Sequence, residues 1–257
     1  MLLCIDCGNT NTVFAIWDKD KWLCTLRTST HHARTADAYF TWFSTLIAHY
    51  DIELDIEAVI IASSVPRVVF NLRVFADRFF DLRPLVVGKP DCLLPHPPRI
   101  DAGTGVGADR LANAAAAFDR HGGDCVVVDF GTATNFDVVA GDGAYVGGVI
   151  APGVNLSLEA LAMGAAALPH VDVTQPDQVI GTNTVACIQS GVFWGYVGLI
   201  DGITNKIKAE YGRPMKVIGT GGLAPLFAQG ELLFDTIEDD LTMYGLVVIH
   251  RHNTTNG

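Results

Sequence analysis

Long apolar runs, basic clusters and a dense set of cysteines are all missing from this 257-residue chain. No stretch approaches the roughly 18 apolar residues needed to cross a bilayer, and Asp6 interrupts the apolar N-terminus at once. Neither a membrane span nor a secretory leader is therefore expected. Lys and Arg number 17 against 28 Asp and Glu, a formal net charge of −11. Phosphate neutralisation along a nucleic acid needs clustered Lys and Arg, so that partner is excluded. Six cysteines in a chain this long make no disulfide framework, and a cytoplasmic protein with reduced thiols is expected. Cys4 and Cys7 spell CxxC, but on a strand an odd spacing of three sends them to opposite faces. His31 with His32, and His250 with His252, lack a second set of metal ligands. Two nucleotide fingerprints are absent as well. Gly88 and Lys89 run into Pro90, which is no GxxxxGK[ST] loop, and Arg110 stands where a dinucleotide motif needs its third glycine.

What is present is an ordinary folded composition, 49% apolar and 18% charged, long enough for one large domain or two of about 130 residues. An internal echo favours two. Leu2 to Ile5 is an apolar strand running into Asp6, Cys7, Gly8, Asn9 and Thr10, followed by a β-rich run from Thr12 to Trp17. Cys125 to Val128 repeats this into Asp129, Phe130, Gly131 and Thr132, with a second run from Asn135 to Ala140. The two aspartates are 123 residues apart, close to half the chain, as duplication of one domain would leave them. Between the echoes, helical spacing at Tyr39–Tyr50, Val68–Phe80, Arg110–Asp119, Leu156–Ala167, Thr184–Glu210 and Leu241–His250 alternates with strands at Ala58–Ile61, Leu85–Val87 and Met215–Ile218. The class is α/β, with domains expected at 1–119 and 120–257.

A strand ending in Asp that turns tightly through Gly gathers backbone N–H groups and a hydroxyl into a space that suits a phosphate. Gly8 and Gly131 permit close approach, Thr10 and Thr132 can donate to phosphate oxygens, and Asp6 and Asp129 can hold cations. One such turn is a common hairpin; two at matched positions point to function. Gly105, Val106, Gly107, Ala108, Asp109 and Arg110 form a glycine-rich loop opening into a helix, whose N-terminus offers free N–H donors beside Asp109. A carboxylate there suits a group that takes a proton from an alcohol near a reacting phosphate. Gly219, Thr220, Gly221 and Gly222 follow a strand and leave room for an adenine ring or ribose at the backbone.

In this order these residues resemble the successive signatures of the type III pantothenate kinases. The resemblance continues through Gly147, Gly148, Ile150, Pro152 and Gly153, and includes Ser64 to Pro66, Gly181 to Thr184, Gln189 to Asp201 and Gly219 to Leu223, so it spans nearly the whole chain. It implies two actin-like (ribonuclease H-like) domains, each a mixed β-sheet flanked by helices, with the active site in the cleft between them. It also implies ATP-dependent phosphorylation of pantothenate, the first step of coenzyme A synthesis. By position, Asp6, Cys7, Gly8, Asn9, Thr10, Asn11, Thr12 and Val13 would bind ATP phosphates, with Asp6 on Mg²⁺, and Thr132 would add an ATP contact. Asp129 would hold a monovalent cation, K⁺ or ammonium. Gly107, Ala108, Asp109, Arg110 and Thr184 would bind pantothenate, and Asp109 would also accept the proton. Ile100 stands where many members carry Tyr and is counted with the substrate-binding residues; Ala38 stands where an acidic residue is frequent. The family is dimeric, and the long helix Thr184–Glu210 with Phe193, Trp194 and Tyr196 is expected either at the subunit interface or packed in the core. A kinase for another small acceptor, or a non-enzymatic regulatory relative of the same fold, are the alternatives.

Overall fold

The computed structural model describes residues 1–164, 169, 171–228 and 233–255. The elements run β1 (Leu2–Cys7), β2 (Asn11–Asp18), β3 (Lys21–Ser29), α1 (Ala36–Ile47), β4 (Ala58–Ser63), α2 (Pro66–Phe80), β5 (Leu85–Val86) and α3 (Ala108–His121). They continue as β6 (Cys125–Phe130), β7 (Ala133–Val139), β8 (Tyr145–Pro152), α4 (Val154–Gly164), α5 (Thr184–Tyr211), β9 (Lys216–Gly221), α6 (Ala224–Phe227), β10 (Thr236–Ile237) and α7 (Leu241–Thr255). The expected helix Leu156–Ala167 begins two residues earlier than anticipated, and its positions 165–167 lie outside the described residues.

The first compact unit holds Met1–Asp119 together with α7, and the second holds Arg120–Asp240. In the first, a five-stranded sheet is ordered β3-β2-β1-β4-β5, with β1 antiparallel to β2 and parallel to β4. Helices cover both faces of β1, which is why it reads as a continuous apolar run. Leu3, Ile5 and Cys7 pack with Tyr39 and Phe43 of α1 and Leu72 and Phe75 of α2. Leu2 and Cys4 pack on the opposite side with Leu111 and Ala112 of α3 and Leu246 and Ile249 of α7. Cys4 and Cys7 therefore fall in different clusters, as their spacing requires. Thr35 caps α1 by accepting from the Ala38 N–H at 3.3 Å, and Pro66 opens α2, where a missing N–H costs nothing.

The second unit repeats the strand order as β8-β7-β6-β9-β10, with β6 antiparallel to β7 and parallel to β9. β1 and β6 even share one burial pattern, four buried residues, a partly buried Asp and a buried end. Val126, Val128 and Phe130 pack against Phe193, Tyr196 and Ile200 of α5. Of the two places expected for Phe193 and Tyr196, the structure buries both in this unit's own core. Where the chain enters and leaves this unit, Arg120 grips Asp240 through two hydrogen bonds of 2.6 and 3.0 Å and Glu238 through one of 2.5 Å. A planar guanidinium suits this two-pronged grip.

The expected division carried the second unit through to residue 257, but the chain leaves it at Asp240 and α7 packs in the first unit. The reason is local. Gly245 of α7 touches α3 so closely that a Cβ there would overlap the Ala112 carbonyl, and only glycine against an Ala-rich helix allows that approach. Leu246 and Ile249 are then fully buried beside β1 and β4, each stabilising the contact by about 1.5–3 kcal/mol. β3 and β8 are strands that the sequence pattern did not mark out. Both are edge strands, and β8 carries Gly147, at a φ of +136°, Gly148 and Pro152, a composition that resembles a loop.

Candidate functional site

The turn after β1 is closed by the Gly8 N–H donating to the Asn11 carbonyl at 2.9 Å. Asn9, Thr10 and Asn11 are exposed on it, whereas Cys7, Thr12 and Val13 are buried. Of the eight residues from Asp6 to Val13 expected to bind ATP phosphates, those three can offer a ligand only their backbone. Burial pushes the Cys7 thiol above its ordinary range, the hydroxyls of Thr12, Ser63 and Thr30 pull it back in part, and Asp6 adds to the rise. Cys7 therefore stays protonated and takes no nucleophilic role. Ser63 accepts from the Val65 N–H at 3.0 Å and lies 3.1 Å from the Cys7 carbonyl, which ties the end of β4 to the end of β1.

The turn after β6 is built the same way, with the Gly131 N–H donating to the Ala133 carbonyl at 3.0 Å. Gly131 and Thr132 are exposed and Asp129 is partly buried. Two further glycines press against it. Gly221, at a φ of +89°, sits where a Cβ would come within 2.6 Å of the Phe130 carbonyl oxygen and 2.9 Å of the Asp129 Oδ1. A Cβ on Gly153 would overlap the Thr132 carbonyl. Gly153 is itself held by Tyr196, whose hydroxyl donates to the Pro152 carbonyl at 2.9 Å and accepts from Ser157 at 2.7 Å. Of the glycines expected to make room for adenine, Gly219 packs on Ile237 and Phe234 and Gly221 on β6; only Gly222 faces open space.

In the first unit, Asp109 lies in the first turn of α3 and is partly exposed. Its Oδ1 accepts from the Arg110 N–H at 2.9 Å and fills the space that a side chain on Gly107 would need. Ala108 is buried against the sheet and anchors the start of α3, Arg110 is partly buried, and Ile100 is partly buried ahead of the exposed run 101–105. Thr184 is exposed at the start of α5, beside Asn183, which caps that helix by accepting from the Ala186 N–H at 3.0 Å.

The first unit thus carries Asp6, the Gly8–Thr10 turn, Ile100 and Gly107–Arg110, while the second carries Asp129, Thr132 and Thr184. Among the described residues no three His, Cys, Asp or Glu side chains are gathered as metal ligands. One hard carboxylate oxygen donor at Asp6 fits Mg²⁺, which keeps water and borrows phosphate oxygens instead of entering an all-protein cage. An open groove of about 400 Å³ beside α4 and α5 contains none of these residues, and its Glu159 and Asp172 would repel a phosphate.

Sequence reasoning missed Thr30 and the part played by Tyr196. Thr30 donates to the Gly8 carbonyl from outside the turn, and neither residue stands in a motif that names its task. Comparison with known proteins identifies the family. Residues 2–206 match the family described as type III pantothenate kinase. A type III pantothenate kinase of Jannaschia sp. (strain CCS1) is 84% identical over 98% of both chains. One from Ruegeria pomeroyi is 77% identical over 100% of this chain and 99% of its own. In fold the chain is similar to a ROK family glucokinase from Streptomyces griseus, with a TM-score of 0.53 at 13% identity, covering 98% of this chain and 99% of that one. Two mixed sheets of one strand order, each ending its central strand in an Asp-Gly turn, are the sugar-kinase and actin-like architecture, and the chain belongs to the type III pantothenate kinase family.

Proposed function

We propose that this protein transfers the γ-phosphoryl group of ATP to the primary hydroxyl of pantothenate, giving 4′-phosphopantothenate and ADP in the first step of coenzyme A synthesis. The observation that carries the reading is the repeated turn: an Asp at the fifth position of a six-residue central strand, then Gly and Thr, in both sheets. Asp6, with the exposed Asn9 and Thr10, would hold ATP phosphates and Mg²⁺, which supplies charge neutralisation when bound. Thr132 would add an ATP contact, and Asp129 would hold K⁺ or ammonium. Arg110 is suited to the pantothenate carboxylate, and Gly107, Ala108, Thr184 and Ile100 would complete the acceptor site. The hydroxyl oxygen attacks phosphorus in line, the bond to the β-phosphate oxygen breaks, and Asp109 takes the hydroxyl proton; no covalent enzyme intermediate forms.

A cytoplasmic homodimer is part of this reading. Support for self-association comes from apolar side chains on the second unit that water would otherwise cover: Ile150 is 64% exposed, Met163 86% and Ile180 82%. Among the described residues no helix is long and apolar enough to cross a membrane.

The test is Asp109→Asn, which keeps charge-independent packing and removes the proton acceptor. Turnover is expected to fall about 10²- to 10⁴-fold with ATP affinity retained, measured by coupled ADP release. Near-normal turnover would remove Asp109 from the mechanism.

A further inference from the structure

Thr30 follows β3, outside every motif that marks the site, yet it touches the phosphate turn three times. Its N–H donates to the Thr10 carbonyl at 2.8 Å, and its hydroxyl donates to the Gly8 carbonyl at 2.8 Å and lies 2.9 Å from the Thr12 hydroxyl. Thr12 in turn lies 3.2 Å from the Cys7 thiol. A hydroxyl has one proton to give. Because Thr30 gives its own to Gly8, Thr12 must donate to Thr30, and the Cys7 thiol is left to donate to the Thr12 hydroxyl or to the Gly8 carbonyl 3.8 Å away, so the bonds lead from the buried strand end to the turn.

We propose that Thr30 is a positioning residue for the phosphate turn, acting on ATP through the Gly8 and Thr10 peptides and not through contact with the nucleotide. In a planar trans peptide the carbonyl and the following N–H point in opposite directions. Holding the Gly8 and Thr10 carbonyls toward Thr30 therefore aims the Asn9 and Asn11 N–H groups away from it. Free rotation of those two peptides is the main alternative to a turn with fixed donors, and Thr30 removes it at both, with its hydroxyl on Gly8 and its N–H on Thr10. Threonine suits the task, because its β-branch restricts χ1 and so fixes the direction of the hydroxyl. The segment after Thr30 is itself anchored: Arg34 donates to the Thr28 hydroxyl at 3.0 Å and its guanidinium lies 5.3 Å from the centre of the Tyr39 ring.

This inference rests on the reading that the Asp6 turn binds ATP phosphates, and the test separates the two. Thr30→Val keeps the shape and the backbone bond to Thr10 but loses the hydroxyl. The expected result is a KM for ATP raised about ten-fold, the size of one lost buried hydrogen bond, with the KM for pantothenate within about two-fold. Thr30→Ser should restore the ATP value to within about three-fold, a rescue that general damage would not show. Thr30→Ala serves if the valine variant does not fold. Thr10→Val and Asp6→Asn report on the parent reading. If both leave the KM for ATP unchanged, the turn is not the phosphate site and both ideas fall. If they raise it while Thr30→Val does not, or if Thr30→Val raises both KM values equally, or if serine fails to rescue, the turn keeps its role and the Thr30 proposal is overturned.

Discussion

The turn after β1 and the turn after β6 occupy the same place in sheets of the same strand order, but the molecule holds them by different means. In the first unit the turn is tied by side-chain hydroxyls, with Thr30 reaching the Gly8 carbonyl across 22 residues of chain and Thr12 linking it to Cys7. In the second, backbone is pressed on backbone: Gly153 lies on Thr132 and Gly221 on Phe130 and Asp129, with no room for a methyl group at either. A hydroxyl tie can be lost with the main chain left in place, whereas a filled glycine contact forces the main chain to move. The duplicated strand and turn therefore tolerate change differently, and substitutions can expose the difference.

The largest effect is expected at Gly153→Ala. The Thr132 carbonyl must shift to accept the new methyl, costing about 3 kcal/mol, at the upper end for overpacking, and lowering Tm by roughly 6–12 °C. The KM for ATP should rise with it. A Tm within about 1 °C of the wild type would show that the second turn is as loosely held as the first, and the comparison would fail. Tyr196→Phe is expected to be milder, because it leaves packing intact and removes the hydroxyl's bonds to Pro152 and Ser157. A cost of about 1–2 kcal/mol in thermal unfolding, with ATP affected more than pantothenate, would sharpen the case that α5 steadies Gly153. The smallest effect belongs to the turn glycines themselves. A Cβ on Gly8 would lie 3.5 Å from the Asn11 carbonyl oxygen and one on Gly131 3.5 Å from that of Ala133, both ordinary contacts. Gly8→Ala and Gly131→Ala should each change stability by less than about 1 kcal/mol, and equally; unequal Tm shifts would break the symmetry claimed for the two turns.

How far the sequence disclosed all this follows from the range of each interaction. β1 and β6 were legible because each is a short apolar run ended by Asp and a glycine turn, a signal contained in fewer than ten residues. Asp109 was legible for a similar reason, standing just inside a helix that a glycine-rich loop announces. The edge strands were not, since β8 has glycines and a proline where a strand signal would need branched side chains. The return of α7 to the first unit depends on Gly245 meeting Ala112, two residues 133 positions apart whose contact no local pattern encodes. Thr30 stood unnoticed in the run Thr28, Ser29, Thr30, which looks like any polar strand end. Phe193 and Tyr196 were ambiguous in the sequence, where large aromatics on a long helix suit an interface or a core equally, and the unit's own sheet claims them.

The central claim is that these two turns serve one phosphoryl transfer to pantothenate. Its most direct test is to incubate the full-length protein with ATP, Mg²⁺ and pantothenate, with and without K⁺, and to follow ADP release alongside the mass of the pantothenate product. The account predicts one ADP for each 4′-phosphopantothenate formed, dependence on the monovalent cation, and little ADP when pantothenate is left out. ADP release that is indifferent to pantothenate, or unchanged pantothenate after prolonged incubation with K⁺ present, would contradict it.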